Sequence, residues 1–294
     1  MSLQFLPITH DILARITPYL CFTSQNGRLC DYTPGVLSMW RRHYRTAAAI
    51  DGDTLYLRLE DGGATYYATP QGENLSRALD RLEAHLGYAP NFCTVPEALL
   101  PYFLSRYPTA TATDDRDWYD YLYDTESLAN LAGRRYSGQR NHLKRFIRAY
   151  GEPEFVPLCR ENAGDALAFL DRYERERQNL SQEARAEAEA TREVLLQPDF
   201  FGQRGGILKA SGRVFGFVIG EVVGDTVYDH VEKADANAEG AYQTLVNCFA
   251  RAFQAVPYMN REEDCGVAGL RTSKLSYHPR ELLKKYTVKQ RGQS

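Results

Sequence analysis

The sequence predicts an α/β protein of two units, each a mixed sheet flanked by helices, one over residues 1–150 and one over residues 151–294. Three observations carry this expectation. At roughly 150 residues per domain, 294 residues divide into two. Apolar stripes at helical spacing alternate with strand-like runs along the whole chain. Three consecutive strand-like runs between Gly206 and Ala234, joined by short turns, read as an antiparallel meander leading straight into a helix.

The elements follow in order. A helix is expected near Asp11, then strands over Ala47–Leu59 and Ala64–Thr69 flanking the turn Asp61-Gly62-Gly63. Leu75, Ala78, Leu79, Leu82 and Leu86 share one helical face, with Asn74 placed to cap and Gly87 to stop the helix. Leu143, Phe146, Ile147 and Tyr150 mark another helix, opened by Ser137 and closed by Gly151, near which the two units join. In the second unit Ala166, Phe169, Leu170 and Tyr173 form a third stripe. Ser181 opens an Ala-rich charged helix that ends before Pro198. The meander comprises Gly206–Ala210, Val214–Val223 and Thr226–Ala234, turning at Ser211-Gly212 and Gly224-Asp225. A helix carrying Tyr242, Leu245, Val246, Phe249 and Phe253 stops at Pro257; a strand at Tyr258-Met259, a helix near Leu270 and a strand over Tyr286–Lys289 complete the chain.

A composition of 25% charged and 44% hydrophobic residues excludes a disordered or collagen-like polymer. No run approaches 18 apolar residues, and Met1–Cys21 lacks the pattern of a secretory signal, so the expected location is cytoplasmic. The six cysteines at 21, 30, 93, 159, 248 and 265 show no CxxC and no His at ligand spacing; they read as reduced thiols, with no metal site. The net charge of −3 conceals a patterned chain. Asp114–Glu126 holds six acids and one Arg, Arg134–Arg148 six bases and no acid, and Arg271–Arg291 seven bases and one acid. A polyanion could therefore bind one face of a net-acidic protein.

Three polar clusters interrupt apolar faces. Glu221 lies in line with Phe215, Phe217, Ile219 and Val223, because alternate strand residues share a face. It is either a strand end reaching solvent or a carboxylate at a cleft edge with a raised pKa, the condition of a general base. The next strand sets Tyr228, His230 and Glu232 on one face and Val227, Asp229, Val231 and Lys233 on the other. Unpaired buried charge is costly, so these groups face a wet cleft or pair across the sheet, as Asp229/Lys233 or His230/Glu232. The third cluster runs from Asn260 through Glu262 and Asp264 to Arg271 and Lys274, which share a helical face. It reads as an ordinary charged surface or as a zwitterion site. GxSxG, Walker A, HExxH and GxGxxG motifs are all absent.

The meander whose third strand feeds a helix resembles the acyl-CoA N-acyltransferase (GNAT) fold. The loop Lys233–Tyr242 has one glycine, two acids and no Arg or Gln at the place where acetyl-CoA members of that fold bind pyrophosphate, so acetyl-CoA is the weaker expectation. More specifically, Tyr258–Gly266 (YMNREEDCG), Gly269–Lys274 (GLRTSK), Tyr277–Pro279 (YHP), Arg135–Lys144 (RYSGQRNHLK) and Asp229–Lys233 (DHVEK) resemble the phosphatidylglycerol lysyltransferase C-terminal family, over roughly Trp40–Val288. The resemblance implies a tandem pair of GNAT-like domains, related to the Fem aminoacyltransferases. It also implies aminoacyl transfer from charged tRNA to a lipid hydroxyl, in proteins that usually carry a transmembrane portion.

On that resemblance, Glu232, Asp229 or Glu221 is the expected general base, and Arg271 and Lys274 stabilise an oxyanion or a tRNA phosphate. Glu262 or Asp264 would hold the donor's ammonium, with Tyr228, His230, Lys233, Tyr242, Asn260 and Tyr277 lining the substrate site. Arg135, Arg140, Lys144 and Arg148 would form a phosphate-binding stripe for tRNA, or simply a solvated face. No cofactor is expected beyond aminoacyl-tRNA as donor. The acceptor is a small molecule or a lipid such as phosphatidylglycerol, and peripheral membrane contact is compatible with the sequence. The alternatives are an acyl-CoA-dependent N-acyltransferase and a non-catalytic ligand-binding module of the same fold.

Overall fold

The computed structural model describes residues 2–20, 27–177, 182–197 and 202–291. It forms two compact units. One comprises residues 1–120, 263–267 and 282–294, the other 121–262 and 268–281. The chain thus enters the second unit at Tyr121, ahead of the Gly151 join read from the sequence, and returns twice to the first.

The first sheet runs β1 (Leu6–Pro7), β2 (Ala47–Asp51), β3 (Thr54–Asp61), β4 (Ala64–Tyr67), β5 (Phe92–Pro96), β14 (Lys285–Lys289) and β6 (Thr111–Asp114). The run expected as one strand over Ala47–Leu59 is a hairpin instead. Gly52, at φ +62°, supplies the left-handed residue that the Asp51-Gly52-Asp53 turn needs. Helices α1 (His10–Ile16), α2 (Pro34–Trp40), α3 (Leu75–Leu86) and α4 (Leu100–Arg106) accompany this sheet. In α3 the Asn74 side chain accepts from the Arg77 amide and Gly87 closes in the left-handed region, as its spacing predicts. Its buried Ala78, Leu79 and Leu82 join Tyr56, Phe92, Val95, Phe103 and Val288 in the core of this unit.

The second sheet runs β13 (Glu281–Leu283), β7 (Asp120–Asp124), β12 (Tyr258–Asn260), β11 (Thr226–Ala234), β10 (Arg213–Val223), β9 (Gly206–Ala210) and β8 (Glu154–Pro157). The predicted meander is present, and β12 extends it in parallel with β11. Helices α5 (Thr125–Asn130), α6 (Ser137–Tyr150), α7 (Ala163–Arg175), α8 (Gln182–Leu196), α9 (Ala241–Ala252) and α10 (Ala268–Leu275) belong with it. The expected boundary residues Ser181 and Pro198 of α8 lie outside the described residues, as does Cys21. Gly240 opens α9 at φ +84°, and a Cβ there would stand 2.3 Å from the His142 carbonyl oxygen, so only glycine admits this approach of α9 to α6. Ring pairs Phe146–Phe215 and Phe169–Phe217, with centroids 5.0 and 6.0 Å apart, tie α6 and α7 to β10.

Strict alternation fails at one place in the meander. Ile219 pairs with Val231 and Gly220 with Asp229, so the register shifts between Ile219 and Gly220, opposite His230. This β-bulge re-aims the side chains around His230, a common device beside functional sites.

Candidate functional site

The second unit gathers a buried polar group where β11 and β12 run side by side, with Tyr228 in register with Asn260. Beyond Asn260 the chain turns sharply. The Asn260 Oδ1 accepts from the Glu262 amide at 2.7 Å, and Glu262 takes φ +53°. Helix α10 then brings Lys274 back to the same place.

Two ion groups result. In one, His230 bridges two carboxylates, Nε2 lying 2.8 Å from Glu221 Oε1 and Nδ1 2.7 Å from Glu262 Oε1. Burial pulls the His230 pKa down, but the two hydrogen-bonded carboxylates outweigh it and lift it to about 10. The ring is therefore an imidazolium at neutral pH, donating from both nitrogens. In the other group, Arg261 Nη2 donates to Glu232 Oε2 at 2.7 Å, and Nε lies 3.4 Å from Asp229 Oδ2. The guanidinium stands over the rings of Tyr277 and Tyr123, at 4.9 and 5.8 Å. Burial lowers the Arg261 pKa, but Glu232 and the other neighbours more than restore it. Asp229 moves the other way: burial and then the Glu232 charge push it well above the usual carboxylate range, with Arg261 opposing. The Lys274 ammonium donates to the Arg261 carbonyl and lies 5.7 Å from the centre of the Tyr121 ring.

Of the three carboxylates proposed as bases, Glu221 is corrected. It is not at a cleft edge, because its side chain is 4% exposed and bound to His230. His230 itself is 1% exposed and packs its ring parallel to that of Tyr228. The pairings expected across the sheet, Asp229/Lys233 and His230/Glu232, do not form; the bulge and the Asn260–Glu262 turn supply other partners. The side chains of Glu232 and Glu262 are 16% and 15% exposed, and they are the carboxylates of this group open to solvent. Asn260 and Tyr277 are buried supports, and Arg271 is half-buried on α10. Lys233 pairs instead with Glu187 of α8, beside Tyr173, whose hydroxyl lies 3.4 Å from that of Tyr242. Asp264 does not join Glu262: it belongs to the first unit, where it is fully buried and bound to Arg116 at 3.2 Å. Arg135, Lys144 and Arg148 are exposed, but Arg140 is spent on the backbone, donating to the carbonyls of Leu131 and Gly133.

Two features escape the sequence reading. Arg261, the hub of the second ion group, sits in a run of acids that looks like a solvated surface. In the first unit Cys30, Asp31, Asp120 and Glu263 converge within 4.8 Å, a donor set able to hold a divalent cation. Lys285 occupies its centre, with Nζ 2.6 Å from Asp31, 2.9 Å from Asp120 and bonded to Glu263. An ammonium thus stands where a metal ion would, and no spacing motif links the Cys30-Asp31 pair to Asp120 and Glu263.

The profile of the family described as "Phosphatidylglycerol lysyltransferase, C-terminal" matches residues 26–289. The chain belongs to this family. A conserved protein of unknown function from Bacteroides thetaiotaomicron is 30% identical, with a TM-score of 0.85 over 98% of this chain and 99% of that one. The structure of L-PGS from Bacillus licheniformis shares the fold at 13% identity, with a TM-score of 0.63 over 98% and 93% of the two chains. An uncharacterised protein of Mycoplasmoides gallisepticum is 26% identical over 177 residues, 58% of this chain and 56% of that protein, so the match spans about half the length of that curated relative. The family is one of lysyltransferase-like acyltransferases, and the two mixed sheets flanked by helices agree with the fold the sequence predicts. Among the described residues, no helix is long and apolar enough to cross a membrane.

Proposed function

We propose that this protein moves an aminoacyl group from a charged tRNA to a hydroxyl or amine acceptor, phosphatidylglycerol among the candidates. The observation that carries this reading is the buried group of Glu232, Arg261, Asp229 and Lys274, with Glu262 at its margin. Acyl transfer to a weak nucleophile needs a carboxylate to take its proton and a cation to meet the developing oxyanion. Glu232, held by Arg261 and open to solvent, takes the acceptor's proton as the acceptor oxygen or nitrogen adds to the ester carbonyl. Lys274 faces the resulting oxyanion. The intermediate collapses by breaking the bond to the tRNA ribose oxygen, which leaves with the proton from Glu232. Glu262, fixed by His230, receives the donor's α-ammonium. Arg271 and the exposed Arg135, Lys144 and Arg148 supply phosphate contacts for tRNA.

No cofactor enters these steps. The loop Lys233–Tyr242 counts against acetyl-CoA for a physical reason: its amides at Asp235, Asn237, Ala238 and Ala241 already donate within the protein. Asp235 adds a carboxylate, bound to Arg213 at 2.5 Å, where a pyrophosphate would need donors.

The test is incubation with a mixture of charged tRNAs, following which aminoacyl group is lost and to what product. Glu232→Gln keeps the bond to Arg261 but cannot take a proton; it should lower kcat by about 100-fold or more with the melting temperature nearly unchanged. Unimpaired transfer by Glu232→Gln sinks the site assignment. Binding of charged tRNA without turnover by the wild type sinks the enzyme reading in favour of a binding module.

A further inference from the structure

We propose that Tyr123, Tyr136 and Gln139 are positioning residues for Lys274, clamping the C-terminal end of α10 so that the ammonium meets the developing oxyanion. The inference deepens the aminoacyl-transfer reading, and its kinetic part rests on that reading. All these residues belong to the second unit. A helix leaves its last carbonyls without helical partners, and one of eight residues, like α10, is too short to hold itself in place. At its end and just beyond, three carbonyls accept from side chains on other elements. The Tyr123 hydroxyl donates to the Lys274 carbonyl at 2.8 Å, Gln139 Nε2 to the Ser276 carbonyl at 2.7 Å, and the Tyr136 hydroxyl to the Tyr277 carbonyl at 3.2 Å. All three donors are buried. The sequence marks one of them. Gln139 falls in line with Leu143, Phe146 and Tyr150, so α6 carries an amide on its apolar face. A buried amide needs partners, and Ser276 supplies two, its carbonyl and, at 3.1 Å, its hydroxyl.

Tyr123 touches both cations of the site. On β7 it is in register with Met259 of β12, two residues before Arg261. Its ring lies 5.8 Å from the Arg261 guanidinium while its hydroxyl holds the Lys274 backbone, and the Lys274 ammonium returns to the Arg261 carbonyl. Burial pushes the Tyr123 pKa up against the opposing Arg261 charge, so the hydroxyl keeps its proton and remains a donor. Tyr277, whose carbonyl Tyr136 holds, sets its own ring against the same guanidinium at 4.9 Å. The segment at 135–148 therefore divides by face. Tyr136 and Gln139 act inward on α10, while Arg135, Lys144 and Arg148 stay exposed.

Tyr123→Phe and Gln139→Met each remove a donor while keeping the bulk of the side chain. The full chain is treated with limiting acetic anhydride, and acetylation of each lysine is read by peptide mass. In the wild type Lys274, which is buried, should label far more slowly than the exposed Lys144. In either variant Lys274 should label about tenfold faster, because α10 opens locally at lower cost. Lys285, buried in the first unit, should stay protected. Unchanged labelling of Lys274 in both variants overturns the clamp, and faster labelling of Lys274 and Lys285 together does so too, because the loss would then be general unfolding. With charged tRNA, kcat should fall about tenfold or more in each variant at unchanged KM, since Lys274 acts in the transition state alone. A raised KM with kcat intact would make these residues tRNA contacts and overturns the proposal. So does an unchanged kcat once Lys274 is released. Absence of transfer by the wild type counts against the aminoacyl-transfer reading alone, and the labelling still decides the clamp.

Discussion

His230 gives the sharpest test of the electrostatics. It lies between two carboxylates at 2.8 and 2.7 Å, and its pKa rises from an ordinary 6.5 to about 10. One pKa unit corresponds to about 1.4 kcal/mol, so the charged ring contributes on the order of 5 kcal/mol relative to a neutral one. The sign follows from linkage. A folded pKa above the unfolded value means the contribution is complete below about pH 6.5 and lost as pH rises through about 10. The perturbation is His230→Gln, and the assay is urea unfolding of both proteins across that range. At pH 6.5 the variant should be less stable by about 3–5 kcal/mol, because Glu221 and Glu262 lose their shared cation. The gap should close steadily toward pH 10. Cys30 and Lys285 also have raised pKa values, but both proteins share them, so they cancel in the difference. A gap that stays constant from pH 6.5 to 10 would refute the reasoning, since His230 would then be neutral throughout.

Other expectations follow from the same structure. Lys285→Met strands the buried Asp120 and the partly buried Asp31 and Glu263, and should cost about 3–5 kcal/mol in denaturant unfolding. It should also open the Cys30–Asp31–Asp120–Glu263 set to zinc, seen as a melting-temperature rise on adding the ion that wild type lacks. Asp31 is pushed up to about 6, chiefly by burial and by the Glu263 and Asp120 charges against Lys285. The native state then binds the extra proton between about pH 4 and 6, so stability should fall as pH rises through that window, and Asp31→Asn should flatten the profile. Changing Lys144→Glu with Arg148→Glu should weaken tRNA binding and reduce the slope of log affinity against log salt by about 1–2.

Local pattern made much of this molecule legible. The helix at Leu75–Leu86 with its Asn74 cap, the helix closed by Gly151 and the three-stranded meander each follow from residues adjacent in sequence, where spacing and turn chemistry set the backbone. The Ala47–Leu59 run misled because its apolar pattern hides Gly52, a single residue that reverses the chain. Among the candidate-site residues, Glu232, Glu262 and Lys274 are legible in the sequence as charged positions in the polar clusters that interrupt apolar faces. Arg261 was missed because burial, which turns an arginine into a hub, cannot be read from its neighbours in the chain.

The sequence by itself determined the kinds of element, their order, the family and the polar residues that do not belong on apolar faces. These depend on interactions among residues a few positions apart. The partnerships depended on the tertiary structure. It inserted β14 between β5 and β6, placed Asp264 with Arg116 rather than Glu262, and gathered acidic and thiol groups from three distant stretches around Lys285. It also put His230 in a bulge between two glutamates. The physical reason is common to the last three: a buried charge needs an opposite charge within hydrogen-bond reach, and which one arrives is decided by how distant segments pack.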